Sequence, residues 1–201
     1  MTPQAALDRG LGELACELPP GAGEQLLRYL ALLEKWNRTY NLTAIRDPLE
    51  MVSHHLLDSL VVIPHLPMPR AGATLADVGS GAGLPGIPLA IARPQWQITL
   101  NDSNQKKAAF LRQAAIELGL ANAAVHEGRV EAWRPAARFA VVISRAFAEL
   151  ADFIAHCRHL VAPGGVLAAM TGAAPKTGSV IPLKVPLLDA KRHLVLCPVG
   201  A

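Results

Sequence analysis

The chain has 201 residues, a formal net charge of +3, 51% hydrophobic residues and 17% charged ones. This fits one domain with a full core and excludes a disordered chain. Three scattered cysteines, Cys16, Cys157 and Cys197, exclude a disulfide framework or a zinc–cysteine site, and 4% aromatics exclude a broad base-stacking platform.

Met1 to Gly12 carries Asp8 and Arg9 and no apolar run, so no secretory leader is expected there. The apolar stretches Leu56 to Ile63 and Gly86 to Ala92 are too short to span a bilayer. The expectation is a cytoplasmic protein without a membrane partner. Residues 1–70 read as a helical extension and 71–201 as the core of one compact unit. Leu26, Leu27, Leu30 and Leu33 fall at helical spacing within Glu24 to Trp36, after the glycines at 21 and 23. Pro48 opens a second helix through Leu49, Val52, Leu56 and Leu60, which Pro64 stops. Three prolines mark Pro64 to Gly72 as a connector.

Strands and helices then alternate. Thr74 to Val78 is the first expected strand and Pro85 to Ala92 the helix after it. Gln97 to Leu100 follows, then a helix from Gln105 to Leu118 closed by Gly119. Ala123 to His126 is a third strand and Ala140 to Ile143 a fourth, followed by a helix over Leu150 to Leu160. Gly165 to Met170 is a fifth. Such alternation predicts an α/β fold with a mostly parallel sheet and helices on both faces. Ile181 to Val185 and His193 to Cys197 have no long helix between them and predict a terminal antiparallel pair.

The densest motif is Asp77-Val78-Gly79-Ser80-Gly81-Ala82-Gly83-Leu84-Pro85-Gly86, between a strand and a helix. Glycines allow a sharp turn and close approach of a ligand to main-chain amides. The helix that follows offers free amides to an anion or carboxylate. Two cofactors compete. Gly81 to Gly86 satisfies the dinucleotide pattern G-x-G-x-x-G, a weak signal alone. The earlier frame, an acidic residue two positions before G-x-G-x-G, resembles the first motif of Rossmann-like methyltransferases using S-adenosyl-L-methionine. In that frame Gly79, Gly81 and the Leu84 backbone lie near the methionine part. Asp102 follows the second strand, where a carboxylate accepts ribose hydroxyls, or caps the next helix. After the third strand, a Val130 amide can donate to adenine and Glu131 can accept from its amine; a plain surface charge is the competing reading of Glu131. Arg145, directly after four apolar residues, needs an anion or an exit to solvent, so a cofactor carboxylate or a substrate phosphate fits it. Phe147 either stacks on a base or packs in the core. His54 and His55 point about 100° apart on a helix with no third ligand, so no metal site is expected.

Together these residues resemble the RsmG (GidB) family of bacterial 16S rRNA guanine-N7 methyltransferases. The resemblance rests on Trp36-Asn37-Arg38-Thr39-Tyr40-Asn41-Leu42-Thr43, Arg46-Asp47-Pro48, His55-Leu56-Leu57-Asp58-Ser59, the loop Asp77 to Pro88, Phe110-Leu111-Arg112-Gln113, Arg129-Val130-Glu131, Ser144-Arg145-Ala146-Phe147 and Arg192-His193-Leu194. It implies a Rossmann-like S-adenosyl-L-methionine-dependent fold, cofactor contacts at Gly79, Leu84, Val130, Glu131 and Arg145, and one guanine of the decoding-region loop as acceptor. The implied partner is 16S rRNA within the 30S subunit or its precursor, met by a monomer. Arg38, Arg46, Arg112 and Arg145 are the candidate phosphate contacts. Two departures stand out: Thr171-Gly172 where the family has Lys-Gly, and a short segment from Ala173 to Val180. A nicotinamide-dependent reductase, and an RNA-binding module that keeps the cofactor fold without its activity, are the competing functions.

Overall fold

The computed structural model describes residues 1–68, 72–145, 147, 149–175 and 178–199. The expected boundary at 70/71, Ala146 of the Arg145 motif and positions 176 and 177 of the short segment lie outside these residues. No helix among the described residues is long and apolar enough to cross a membrane.

Three helical stretches come first. α1 (Pro3–Leu14) starts where the Thr2 hydroxyl accepts from the Ala5 amide. α2 (Ala22–Tyr40) buries Leu26, Tyr29, Leu30, Leu33 and Asn37, one face at helical spacing. Asp47 caps the third stretch by accepting from the Leu49 and Glu50 amides, with Pro48 at its first position. That stretch is not a plain α-helix: α3 (Pro48–Met51) widens into a π-helical turn (Val52–Leu57) before α4 (Asp58–Leu60). Such turns occur frequently at functional sites.

The sheet has seven strands in the order β3-β2-β1-β4-β5-β7-β6. Its strands are β1 (Thr74–Val78), β2 (Gln97–Asp102), β3 (Ala123–Glu127), β4 (Phe139–Ser144), β5 (Val161–Thr171), β6 (Ser179–Leu183) and β7 (Arg192–Pro198). β1 to β5 are parallel, while β7 runs antiparallel to both β5 and β6. The seven-stranded, mostly parallel α/β fold therefore matches the expected architecture. β5 starts earlier than expected, because Val161 already pairs with Phe139 before the ladder shifts register. The penultimate strand lies two residues before its expected place, and β7 inserts between β5 and β6.

Apolar residues alternate between the two faces, as the strand period of two requires. Leu75, Val141, Ile143 and Ala168 join the larger core with α2, α5 (Gly86–Ala92), α6 (Gln105–Glu117) and the other N-terminal helices. Ala76, Val142, Leu167 and Ala169 face Phe153 and Cys157 of α7 (Leu150–Cys157). Helices thus cover both faces, which explains strands that read as continuous apolar runs. Trp36 meets Phe110 of α6 edge-on at 5.6 Å, so it packs α2 onto the core.

Candidate functional site

The strand order reverses between β1 and β4, and ligands enter open α/β sheets at the carboxyl ends of such strands. The glycine loop leaves β1 there. Gly79, Gly81 and Gly83 all have positive φ, at 70°, 58° and 89°. A side chain at Gly83 would run into Ile87, whereas one at Gly81 would meet only the Gly79 carbonyl, 3.8 Å away. Gly81 is therefore required by its backbone angle and not by crowding within the protein.

The loop is held from three sides. The Ser80 amide donates to the Asn101 carbonyl at 2.9 Å. The Gly81 amide donates to Asp102 Oδ2 at 2.9 Å. The Tyr29 hydroxyl of α2, fully buried, donates to the Ala82 carbonyl at 2.7 Å. Burial holds the Tyr29 phenol far above its usual range, so it stays protonated and a donor. No motif pointed to Tyr29; its place on the apolar stripe of α2 reads as core.

Asp77 sits beneath the loop at 0% exposure. Its Oδ2 accepts from the Gly86 amide at 2.9 Å, while Oδ1 has no hydrogen-bond partner among the described residues. Burial pushes this carboxyl up to about 6, and the Gly86 hydrogen bond offsets only part of that. The start of α5 is consequently occupied. Gly86 donates to Asp77, Ile87 donates to the Gly83 carbonyl at 2.7 Å, and Pro88 has no amide to give. The free amides expected at this helix start are not available to an outside anion. A dinucleotide pyrophosphate would need those amides and would meet the Asp77 carboxylate instead, which argues against the reductase reading.

Two cavities open at this edge of the sheet. The first, about 270 Å³, is lined by Gly79, Asn101, Asp102, Arg129, Val130, Glu131 and Phe147, among others. Asn101 forms its floor by donating to the His126 and Gly128 carbonyls at 3.1 and 2.9 Å. Asp102 is not the helix cap: Asn104 caps α6, and Asp102 Oδ1 accepts from the Asn104 amide at 2.8 Å. Its carboxylate thereby ties the glycine loop to the start of α6. Glu131 lies 3.6 Å from His156 Nδ1 at the rim. Phe147 touches both environments, packing 5.3 Å from Phe153 while lining the cavity.

The second cavity, about 370 Å³, is lined by Thr43, His54, His55, Asp58, Arg145, Thr171 and Arg192, with neighbours. The partner that Arg145 requires is Asp58, whose Oδ2 accepts from Arg145 Nη1 at 2.9 Å. The same Nη1 donates to the His54 carbonyl on the π-helical turn at 2.9 Å. Arg192 Nε donates to Asp58 Oδ1, also at 2.9 Å. His55 contacts the Thr43 hydroxyl at 3.0 Å through Nε2. Burial, reinforced by Arg145, pushes His55 down to about 4, so it is neutral at pH 7.

Gly79, Asp102, Val130 and Glu131 therefore meet in one cavity, and Arg145 lines the other. Gly81 and Leu84 line neither, and the Leu84 amide is spent on the Ser80 carbonyl at 3.0 Å. Of the other arginines singled out, Arg38 pairs with Glu34 and Arg112 with Glu127, each bridge partly exposed, and Arg46 contacts Asn41. Asp58 and Arg192 lie within motifs that carry the resemblance, but nothing in their local sequence marks them as site residues.

The family described as rRNA small subunit methyltransferase G matches residues 22–193. Curated relatives named ribosomal RNA small subunit methyltransferase G include those of Burkholderia thailandensis, 53% identical over 96% of this chain and 90% of that protein, and Chromobacterium violaceum, 52% identical over 95% of each. A third, from Methylobacillus flagellatus, is 52% identical over 97% of this chain and 98% of that protein. Among solved structures, precorrin-6Y C5,15-methyltransferase from Geobacter metallireducens is similar with TM-score 0.56 and 11% identity, covering 71% of this chain and 87% of that one. The C-terminal domain of the Rhodobacter capsulatus enzyme of that name gives TM-score 0.54 and 14% identity over 70% and 88%. These two likenesses show the fold alone. The sequence matches reach further: the chain belongs to the rRNA small subunit methyltransferase G family.

Proposed function

We propose that the protein transfers a methyl group from S-adenosyl-L-methionine to N7 of a guanine in the decoding-region loop of 16S rRNA, within the 30S subunit or its precursor. In this reading it works as a cytoplasmic monomer, with residues 1–70 as a helical extension on the core 71–201. Besides the family, one observation carries the cofactor assignment. The buried Asp77 holds the start of α5 itself and keeps one oxygen without a partner. Such an arrangement favours a cationic ligand over a diphosphate.

The cofactor is held by Gly79, Gly81 and Leu84 of the loop, by Asp102 at its ribose, and by Val130 and Glu131 at its adenine. Arg145, which lines the neighbouring cavity, reaches toward its carboxylate. When bound, S-adenosyl-L-methionine supplies an electrophilic methyl group. Guanine N7 carries a lone pair at neutral pH, so no residue is assigned as a general base. The chain's task is to orient the acceptor base, exclude water and tolerate the positive charge that develops on the ring. The acceptor guanine must be unpaired or splayed to be reached.

Incubating the protein with unmethylated 30S subunits and labelled S-adenosyl-L-methionine, then mapping the modified base, tests this directly. A single N7-methylguanine in that loop is the expected result. Binding of NADH without binding of S-adenosyl-L-methionine would overturn it.

A further inference from the structure

Asp58, Arg145 and Arg192 come from three separate segments and bring two positive charges and one negative charge into a single cavity. The carboxylate is at the back: its side chain is 1% exposed, against 29% for Arg145 and 26% for Arg192. Asp58 has one oxygen on each guanidinium, so it fixes both in place and neutralises only one. His55 on the same wall is neutral at pH 7 and adds no charge. Arg192 spends Nε on Asp58 and Nη1 on the Lys191 carbonyl. Nη2 of each guanidinium has no protein partner among the described residues. The cavity therefore presents one uncompensated positive charge and N–H donors that no group among the described residues takes, an arrangement that suits an oxyanion.

We infer that Arg192 binds a backbone phosphate beside the acceptor base, and that Asp58 is a positioning residue that locks this contact to Arg145. The inference rests on the N7 methyl-transfer reading above. An arginine fork also suits the O6/N7 edge of guanine. That edge must stay open for the methyl group, which leaves the phosphodiester as the group the fork takes. Arg192 and Arg145 both line the cavity away from Gly79 and Asp102, but Phe147, two residues after Arg145, lines the other one. Through Asp58, ordering of Arg145 by the cofactor would also order the phosphate contact.

The test compares Arg192→Gln and Arg192→Lys with the wild type, after thermal melting confirms that each is folded. Binding to 30S subunits is measured by filter retention at several salt concentrations, and S-adenosyl-L-methionine affinity by calorimetry. Arg192→Gln should bind 30S about tenfold more weakly and lower the salt slope by about one, with cofactor affinity unchanged. Arg192→Lys should keep the slope and recover most of the affinity. Asp58→Asn, assayed below its melting range, should weaken both ligands together. A wild-type salt slope in Arg192→Gln would overturn the inference. So would a loss of cofactor affinity matching the loss on 30S, since the oxyanion would then be the cofactor's carboxylate. Because the salt slope is read from binding, it judges the fork even if no N7 methylation is found, a result that would sink the functional reading separately.

Discussion

Asp58 and Asp77 are both essentially removed from solvent, at 1% and 0% exposure, and they flank the same end of the sheet. Their surroundings differ completely. Asp58 accepts from two guanidiniums, one on each oxygen, whereas Asp77 has a single backbone amide and an oxygen with no partner. The first carboxylate holds three chain segments together; the second costs stability in the free protein. The contrast suggests that one side of the site is assembled by protein charges alone, and the other is left incomplete for a ligand.

The largest expected effect tests the Asp58 side. Asp58→Ala leaves two guanidiniums facing each other without a counter-charge, which should cost about 3–5 kcal/mol. For a domain of this size that corresponds to a fall in melting temperature of roughly 10 °C. A shift under 2 °C would mean that the two arginines find solvent easily and that the pairing is incidental.

Asp77 should behave in the opposite sense. Its folded-state pKa, about 6, lies above the ordinary 3.8. Its contribution to stability is present at low pH and lost as pH rises through 6. His55, pushed down to about 4 from 6.5, contributes stability above 6.5 that is lost as pH falls through 4. The two trends oppose each other between pH 4 and 6. Asp77→Asn should raise stability at pH 8 by up to about 3 kcal/mol and leave only the His55 trend, a rise from pH 4 to 6.5. Denaturant unfolding against pH measures this. The same variant should bind S-adenosyl-L-methionine more weakly. Loss of stability at pH 8 would show that the Asp77 charge is compensated in the fold and would remove the contrast.

Gly81→Val separates conformation from contact. A β-branched residue at φ 58° costs about 1–2 kcal/mol in backbone terms. If the loop also approaches a ligand there, cofactor affinity measured by calorimetry on the folded variant should drop tenfold or more. Unchanged affinity would move the cofactor away from this loop. The smallest effect belongs to Thr171, at the end of β5 on the Arg192 cavity. Thr171→Lys should change stability by less than about 0.5 kcal/mol and leave single-turnover methylation of 30S subunits unchanged or faster. A large loss of either would show that the position is packed and not turned toward the RNA.

Much of this architecture is legible in the sequence, for identifiable reasons. Strands β1 and β4 announce themselves as short apolar runs because both faces of the central parallel sheet are buried. Asp47-Pro48 and Asn104 mark helix starts through chemistry confined to a few residues. The π-helical turn at Val52–Leu57 leaves no such mark, since Val52, Leu56 and Leu60 fall four residues apart, a spacing that reads as an ordinary helix. Tyr29 looked like any core aromatic, and only the partner of its hydroxyl distinguishes it.

By itself the sequence determined the alternating strand–helix core and the glycine loop, because both depend on backbone angles and burial patterns written within about ten neighbouring residues. The tertiary structure decided which charges meet. Asp58 pairs with Arg145 across 87 positions and with Arg192 across 134. It also decided that the start of α5 is occupied by the protein's own Asp77. A charged residue in a sequence states only that a partner is needed; in a low-dielectric site, the identity of that partner follows from which segments the fold brings within about 3 Å.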